Sequence, residues 1–454
     1  MFRQKITSGV LVTFILALIL TACGTSGSNN APATNAGQGS AANSSQGNTG
    51  ETDKEIVISF YSYILGNSKG GQGAQKLIDE FEAAHPNIRI EGVPVPVADL
   101  LGRVQADVAT GTPPDVAQLG FGWMDLIANG FGAVPLESLV TQEEWNANFE
   151  GFSPKGMELG KYDGHTYGLP FTFSTPVLFY NADLFRQAGL SPDQPPVTWD
   201  EVKEAALQIN KVTGAEGVHF SGLTPTTGDW IVQSLIGSNS GKIISEDRKT
   251  LQFDSPEAIE AISMWRGLVD SGAHDKLNDN EAMEGMIQGK LGMFVMTSAI
   301  QGSLLKGAEG TGWELRSAEM PAFAGKPTTP MNSGSALFIL SQDPEKQQAA
   351  WEFLKFVTSK RGYSIITSEI GYLPLRPEIL NEEEYLKDWA AEHPLIEPNI
   401  RQLDRLTPAE AFPGANFSQI ATILMNAVQT SVLSNADVAE TLHAAQAEAQ
   451  KLMP

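Results

Sequence analysis

The sequence predicts an α/β fold in which a parallel sheet is covered by helices on both faces. From residue 56 onward the patterns alternate in the order strand, helix, strand, helix, strand, which is typical of such a sheet. The 454 residues allow two or three domains, at roughly 100–200 residues each. Hydrophobic residues make up 42% of the chain, so a large core can form.

The first five elements are readable one by one. Residues 56–61 are mostly β-branched and aromatic, as expected of a buried strand. A Gly-rich turn is predicted next, followed by a helix over 74–84 with Leu77, Ile78 and Phe81 on one face. The patterns that follow predict a strand at 88–95, a helix at 100–109 and a strand at 115–119. Ligands of such sheets bind beyond the carboxyl ends of the strands.

Helix starts are marked clearly in the second half of the chain. Thr198 and Glu201 have the spacing of a capping box, in which each side chain accepts from the other residue's backbone N–H. Pro256 and Pro344 follow Ser255 and Asp343, as proline at the first position of a helix does. Two further helical patterns cover residues 418–433 and 436–452.

Charge and motif content exclude several function classes. The formal net charge is −23, so the chain should repel nucleic acid, and we expect no nucleic-acid partner. A single cysteine rules out an internal disulfide and a cysteine-based zinc site. The six histidines form no metal-ligand spacing, and residues 275–281 miss the spacing of a calcium loop and are predicted to be solvated. We therefore predict a binder rather than an enzyme, with no catalytic residues, metal or cofactor.

The N-terminus has the features of a secretion signal. Arg3 and Lys5 precede an apolar run over residues 10–20, which is shorter than a typical transmembrane helix. The sequence Leu-Thr-Ala-Cys-Gly at 20–24 resembles the bacterial lipoprotein cleavage box, whose cysteine is the lipid acceptor. We expect a signal peptide at 1–22 and lipidation of Cys23, with the protein anchored in the cell membrane and facing the outside of a bacterium.

A polar tether is predicted to follow the lipidated cysteine. Residues 24–54 consist largely of Ser, Asn, Gly, Ala, Thr and Gln, with no aromatic residue. Such a segment buries too little to offset its own ordering entropy, and we expect it to be disordered. Residues 23–54 would then lift the folded body away from the membrane surface.

One stretch of the body is distinctive enough to indicate a family. Residues 168–181 read GLPFTFSTPVLFYN, and they are followed by LFRQAGL at 184–190 and PPVTW at 195–199. This stretch resembles the carbohydrate-binding, maltodextrin-like family of extracellular solute-binding proteins of ABC importers, nearest its sn-glycerol-3-phosphate binders. Shorter matches at 296–304, 334–337 and 371–374 extend the resemblance over nearly the whole body.

The resemblance implies a two-lobe fold of the periplasmic-binding-protein type (type II), with the ligand in a cleft at the hinge. By that likeness the first lobe comprises residues 55–172 and 297–370, and the second comprises 173–296 and 371–454. Closure of the cleft would create the form that ABC permease subunits recognise. We expect the protein to act as a monomer.

The resemblance also points to ligand-binding residues, one position at a time. Ser174, Gly334 and Tyr372 match contacts of the glycerol phosphate binders, and Trp230 matches one of two cleft tryptophans. The arginine expected to pair with phosphate aligns near Pro413, which argues against phosphate recognition. With the aromatic and polar residues expected near the cleft, the predicted site is Tyr63, Trp123, Asp125, Ser174, Thr175, Asp229, Trp230, Ser298, Gly334, Tyr372 and Asn416.

These predicted site residues are aromatic and largely neutral, which suits the binding of a mono- or oligosaccharide. Sugar rings present apolar C–H faces to aromatic rings, while their hydroxyls need hydrogen-bonding groups at the rim. The sequence therefore predicts capture of a neutral saccharide for import. The alternatives are binding of sn-glycerol 3-phosphate or a glycerophosphodiester, a secreted lipoprotein glycoside hydrolase, and a lipoprotein that binds protein surfaces as a chaperone or adhesin.

Overall fold

The structure is a computed structural model, and it describes residues 54–66, 68–223 and 228–454. The predicted signal peptide, Cys23 and nearly all of the tether lie outside these residues. Within the described part of the chain, no helix has the length and apolar character needed to cross a membrane.

Strands and helices alternate through the first half of the body, and helices dominate the C-terminal part. The strands are β1 (Ile56–Ser62), β2 (Ile88–Pro94), β3 (Val116–Gly120), β4 (Lys161–Tyr162), β5 (His165–Thr166), β6 (Gly168–Ser174), β7 (Pro176–Asn181), β8 (Glu216–Phe220), β9 (Leu291–Thr297), β10 (Leu315–Glu319) and β11 (Ser333–Ile339). The α-helices are α1 (Lys69–Ala84), α2 (Val97–Ala109), α3 (Gln142–Asn148), α4 (Pro154–Glu158), α5 (Ala182–Gln187), α6 (Trp199–Thr213), α7 (Trp230–Ser238), α8 (Pro256–Asp270), α9 (Asp279–Ile287), α10 (Gln301–Thr311), α11 (Pro344–Val357), α12 (Lys360–Ile365), α13 (Lys387–Glu392), α14 (Glu397–Arg401), α15 (Phe417–Leu433) and α16 (Val438–Ala449).

The predicted α/β architecture is confirmed, and its two main sheets agree with the two-lobe fold that the resemblance implied. The first has the strand order β2-β1-β3-β11-β6, and the second has the order β10-β7-β9-β8. Strands β1, β2 and β3 are parallel as predicted, but β11 runs antiparallel to both β3 and β6. Both sheets are therefore mixed, because the chain crosses between them and returns in the opposite direction.

Each sheet supports its own hydrophobic core. In the first core the ring of Phe60 on β1 packs edge-on against Phe171 and Phe353, with ring centroids 6.3 and 5.4 Å apart. In the second core Phe220 on β8 packs in the same way against Trp199 and Trp265, at 5.2 and 4.6 Å. We call the bodies around the first and second sheets the first and second lobes.

The chain passes from the first sheet to the second within a single residue. Strand β6 ends at Ser174 and β7 begins at Pro176, so Thr175 alone lies between them. All thirteen residues of the two strands are buried. The return crossing runs through residues 320–332, between β10 and β11.

The lobe boundaries differ from those that the resemblance implied. Strand β10 pairs with β7 in the second sheet, and α10 packs beside it through Leu304 and Ala308, although residues 297–370 were assigned to the first lobe. In the other direction, Leu373 and Leu375 are buried in the first core, although residues 371–454 were assigned to the second lobe. The reason is pairing: β10 covers the edge of β7, whose backbone groups would otherwise lack partners.

The prediction of a turn at the glycines after β1 was wrong. The glycines after β1 do not form a flexible turn, because α1 begins at Lys69 and includes Gly70, Gly71 and Gly73. Close packing explains the small residues there: a Cβ on Gly73 would lie 2.8 Å from Ile370. The capping box of Thr198 and Glu201, in contrast, is confirmed.

Residues 275–281 were predicted to form a solvated loop, and Asp275 is instead buried. The ring of His219 on β8 is fully buried between two carboxylates, with Nδ1 2.8 Å from Asp275 and Nε2 3.0 Å from Asp279. Burial alone would lower the pKa of His219, but the two carboxylates outweigh it and the net shift is upward. The neighbouring His274 accepts from the Phe220 N–H at 2.8 Å, and its pKa is lowered to about 4, mainly by burial and by the nearby His219.

The raised pKa of His219 predicts a pH-dependent stability. A charged His219 stabilises the fold fully below its unfolded-state pKa of about 6.5, and this contribution is lost as pH rises through the folded-state pKa. We expect His219→Gln to lower the free energy of unfolding by about 3–5 kcal/mol near pH 6, since it removes the charged partner of the buried Asp275 carboxylate. Denaturant unfolding of both proteins between pH 6 and pH 9 should show this gap narrowing with rising pH; a gap independent of pH would contradict the interpretation.

Candidate functional site

A cavity of about 350 Å³ lies where the carboxyl ends of the first-sheet strands meet the end of β9. Its lining comes from both sheets, because Ser174 ends β6 and Thr297 ends β9. The twelve residues that line it are Tyr63, Val97, Leu100, Gln118, Gly120, Trp123, Ser174, Thr297, Ala299, Ser333, Gly334 and Tyr372. A volume of this size falls within the range of about 300–1,000 Å³ that is usual for small-molecule sites.

A buried hydrogen-bond network orients Tyr63 at the cavity. The Tyr63 hydroxyl lies 2.9 Å from the Thr172 hydroxyl and 3.2 Å from that of Ser335. Those two hydroxyls are 2.6 Å apart, and the amide of Gln118 donates to Ser335 at 2.8 Å. Thr172, Ser335 and Gln118 are fully buried, so the Tyr63 hydroxyl is fixed by a network of groups that have no access to water.

Glycine is required where β11 passes β6. Gly334 has φ +114°, and a Cβ there would lie 1.9 Å from the carbonyl oxygen of Thr172. Any larger residue would push β11 away from β6 and separate Thr172 from Ser335. At Gly120 the space above the backbone is taken by the Trp123 ring, whose atoms begin 3.6 Å from where a Cβ would be.

Tyr372 reaches the cavity from a short segment that is fixed to the first sheet. The Leu373 N–H donates to the Phe173 carbonyl on β6 at 3.0 Å, and Gly371 supplies the left-handed turn just before Tyr372. Burial and the neighbouring Tyr63 raise the pKa of the Tyr372 hydroxyl. Tyr372 is therefore neutral at physiological pH and offers a hydroxyl and a ring face.

None of the twelve described residues that line the cavity is charged. Their polar groups are the hydroxyls of Ser174, Thr297 and Ser333, the phenols of the two tyrosines and the indole N–H of Trp123, whereas the buried Gln118 amide is already bonded to Ser335 and Ser62. The Thr297 hydroxyl donates to the Ser174 hydroxyl at 2.7 Å, which joins the two sheets at the cavity wall. The described lining can thus offer aromatic faces and neutral hydrogen-bonding groups, but no counter-charge for an ion.

Five of the eleven predicted ligand residues line this cavity: Tyr63, Trp123, Ser174, Gly334 and Tyr372. Thr175 and Ser298 lie at the crossing between the sheets. The Thr175 hydroxyl donates to Asn399 at 3.0 Å and accepts from Gln402 at 2.8 Å, and the Ser298 N–H donates to the Thr175 carbonyl at 2.9 Å. These contacts are internal, so both residues hold the crossing.

The other four predicted residues lie outside the cavity lining. Asp125 accepts three internal hydrogen bonds, described below. Trp230 is only 9% exposed and belongs to the second core, at the start of α7. Asp229 accepts from Gln233 at 2.8 Å, and burial raises its pKa. Asn416 is exposed and donates to the Leu452 carbonyl at 3.0 Å.

Sequence reasoning missed several lining residues, of which Gln118 is the most informative. It lies in a strand whose other residues are apolar or small, and an amide inside such a run has to find buried partners. That polar residue at the end of a predicted strand was the available signal. No such signal marked Val97, Leu100 and Ala299 as lining residues, because small and aliphatic residues are common in any helix or core.

His219, His274 and Asp275 are close enough together to hold a metal ion, with ligand atoms within 4.8 Å of one another. However, both ring nitrogens of His219 face carboxylates, and both of His274 lie against backbone groups. Hydrogen bonds within the protein already occupy the ring nitrogens that would ligate a metal ion. The cluster is therefore an ion-pair network that ties β8 to the start of α9.

Comparison with known proteins places this architecture in a family. Residues 66–363, more than half of the chain, match the family described as bacterial extracellular solute-binding protein. The chain belongs to this family. The sn-glycerol-3-phosphate-binding periplasmic protein of Salmonella typhimurium is 25% identical over 400 residues, which cover 83% of this chain and 87% of the relative.

Solved structures show the same two-lobe fold. The cyclic α-maltosyl-1,6-maltose binding protein of Arthrobacter globiformis superposes with a TM-score of 0.77 at 21% identity, covering 88% of this chain and 99% of the other. UgpB of Mycobacterium tuberculosis, solved in complex with glycerophosphocholine, superposes with a TM-score of 0.74 at 20% identity, covering 87% of this chain and 98% of the other. The family match identifies the protein as a bacterial extracellular solute-binding protein, and the solved structures show that it shares their fold.

Proposed function

We propose that the protein captures a neutral mono- or oligosaccharide for import by an ABC permease. The observation that carries this proposal is the uncharged cavity, in which Trp123, Tyr63 and Tyr372 stand beside neutral hydrogen-bonding groups. Aromatic faces match the C–H faces of sugar rings, and the hydroxyl groups of the lining match the ring hydroxyls. The maltose-related ligand of the Arthrobacter globiformis protein is of the same chemical class.

A polyol phosphate is the second candidate, because two relatives bind sn-glycerol 3-phosphate or glycerophosphocholine. Phosphate recognition usually relies on Arg or Lys, whose charge and directed donors compensate for lost hydration. Among the residues that the structure describes, neither Arg nor Lys lines this cavity. An anionic solute would therefore bind here without a counter-charge, and the saccharide is favoured.

Trp123 provides the direct test. Its ring lines the cavity over Gly120, and stacking on a sugar would bury it on binding. We expect Trp123→Ala to weaken maltotriose binding by about 1.5–3 kcal/mol, the scale of burying one large apolar side chain. That is roughly a ten- to hundredfold rise in Kd, measurable by isothermal titration calorimetry.

Trp389→Ala is the matched control. Trp389 on α13 is also half-buried, but it stacks on His393 with ring centroids 4.2 Å apart and does not line the cavity. Its removal should leave the Kd for maltotriose unchanged. Equal affinity of the Trp123→Ala variant and the unaltered protein would remove Trp123 from the site.

We also propose that the protein is held at the outer face of the cell membrane by a lipid on Cys23, with residues 23–54 as its tether. The support is the sequence at 20–24 and the position of the single cysteine. Cys23→Ser should abolish labelling with a radioactive fatty acid and release the protein into the medium. Retention of the variant in the membrane fraction at the normal level would rule out this anchor.

A further inference from the structure

A hydrogen bond between Asp125 and Gly414 joins the two lobes. Asp125 follows β3 of the first sheet, between Met124 and Ile127, which are buried in the first core. Gly414 lies between Phe412, buried in the second core, and the start of α15, which packs on α8 and α16. The backbone N–H of Gly414 donates to a carboxylate oxygen of Asp125 at 3.0 Å.

The first lobe holds the Asp125 carboxylate in place for this bond. The Tyr162 hydroxyl donates to Oδ1 at 2.5 Å, and the Asn129 amide donates to the same oxygen at 2.9 Å. This leaves Oδ2 to accept from Gly414. The carboxylate is thus fixed by two donors of its own lobe and presented to a third donor on the other.

The second lobe fixes the partner in turn. Gly414 has φ +82°, a left-handed conformation that glycine adopts without strain. Just before it, Arg248 donates to the carboxylate of Glu410 at 2.8 Å and also to the carbonyl of Ala411. This second-lobe arginine lies near enough to Asp125 for its positive charge to favour the ionised carboxylate.

Charge makes the contact strong at neutral pH. Partial burial would raise the pKa of Asp125, but its three hydrogen-bond donors and the nearby Arg248 outweigh this, so the pKa lies below its usual value. A hydrogen bond to an ionised acceptor is roughly twice as strong as one between neutral groups. The carboxylate therefore stays ionised, and the bond keeps its full strength through the neutral range.

We propose that Asp125 is an interlobe latch, which biases the two lobes toward the arrangement seen here by accepting the Gly414 N–H. This assigns Asp125 a role in setting the angle between the lobes in place of a contact with the solute. The inference rests on the two-lobe fold and does not depend on which solute binds. Lobe closure is the step that solute-binding proteins couple to their ligand, so a built-in latch would set its starting equilibrium.

Spin labels can measure the distance between the lobes directly. Cys23 is the only cysteine of the chain, so a Cys23→Ser background leaves no competing thiol. Exposed positions without a side-chain role in the latch are available on each lobe: Lys155 on α4 of the first and Lys211 on α6 of the second. A Lys155→Cys, Lys211→Cys protein can be labelled and its distance distribution measured by double electron–electron resonance, with no ligand added.

We expect Asp125→Ala to shift this distribution to longer distances and to broaden it, and Asp125→Asn to do so to a smaller degree because it keeps a neutral acceptor. Asp107→Ala is the matched control: that carboxylate also accepts from a tyrosine hydroxyl, Tyr61 at 3.0 Å, but both residues lie in the first lobe. The control should leave the distribution unchanged. Distributions for both Asp125 variants that match the unaltered protein, or an equal shift with Asp107→Ala, would overturn the proposal. If Asp125→Ala fails to fold, the Asp125→Asn distribution decides alone.

Discussion

The cavity depends on how closely β11 approaches β6. Gly334 leaves room for the Thr172 carbonyl where any side chain would collide with it, and this approach brings the hydroxyls of Thr172 and Ser335 to 2.6 Å. The Tyr63 hydroxyl lies against both. Because these groups are buried, losing one partner would leave the others without water or protein to bond with. One backbone contact thereby fixes an aromatic ring and hydroxyl at the site.

The same strands explain why the cavity belongs to both lobes. Only Thr175 separates β6 from β7, so the end of the first sheet and the start of the second are directly continuous. Asn399 and Gln402 bind the Thr175 hydroxyl, and the Thr297 hydroxyl reaches Ser174 from β9. Lining residues from β6 and β9 are therefore positioned by the crossing itself. Movement of the lobes about this crossing would change the cavity on both sides at once.

Elements with a strong local signal could be predicted from the sequence. The parallel arrangement of β1, β2 and β3 follows from alternating patterns, and the capping box of Thr198 and Glu201 follows from spacing alone. The errors arise where a contact with a residue distant in sequence determines the local structure. Gly70 and Gly73 lie in a helix that packs closely against Ile370, and Asp275 is buried because its carboxylate contacts the buried ring of His219.

The site was predictable in part for the same reason. Residues just after strand ends, such as Tyr63 and Trp123, could be placed at the carboxyl edge of the sheet from the fold class. Trp230 could not be distinguished from a core residue, because an aromatic residue at a helix start is compatible with either role. Asp125 was expected at the ligand, but its donors Tyr162 and Gly414 are 37 and 289 residues away in sequence. Contacts of that separation leave no local pattern.

The central claim is that an uncharged cavity selects an uncharged solute, and calorimetry on the Cys23→Ser protein tests it most directly. Maltotriose, sn-glycerol 3-phosphate and glycerophosphocholine would be titrated under the same conditions at low and at moderate salt. The account predicts that the saccharide binds more tightly than either phosphate, with a Kd that does not depend on ionic strength, since no ion pair forms. Sub-micromolar binding of sn-glycerol 3-phosphate that weakens with salt, with no heat from the sugar, would contradict it.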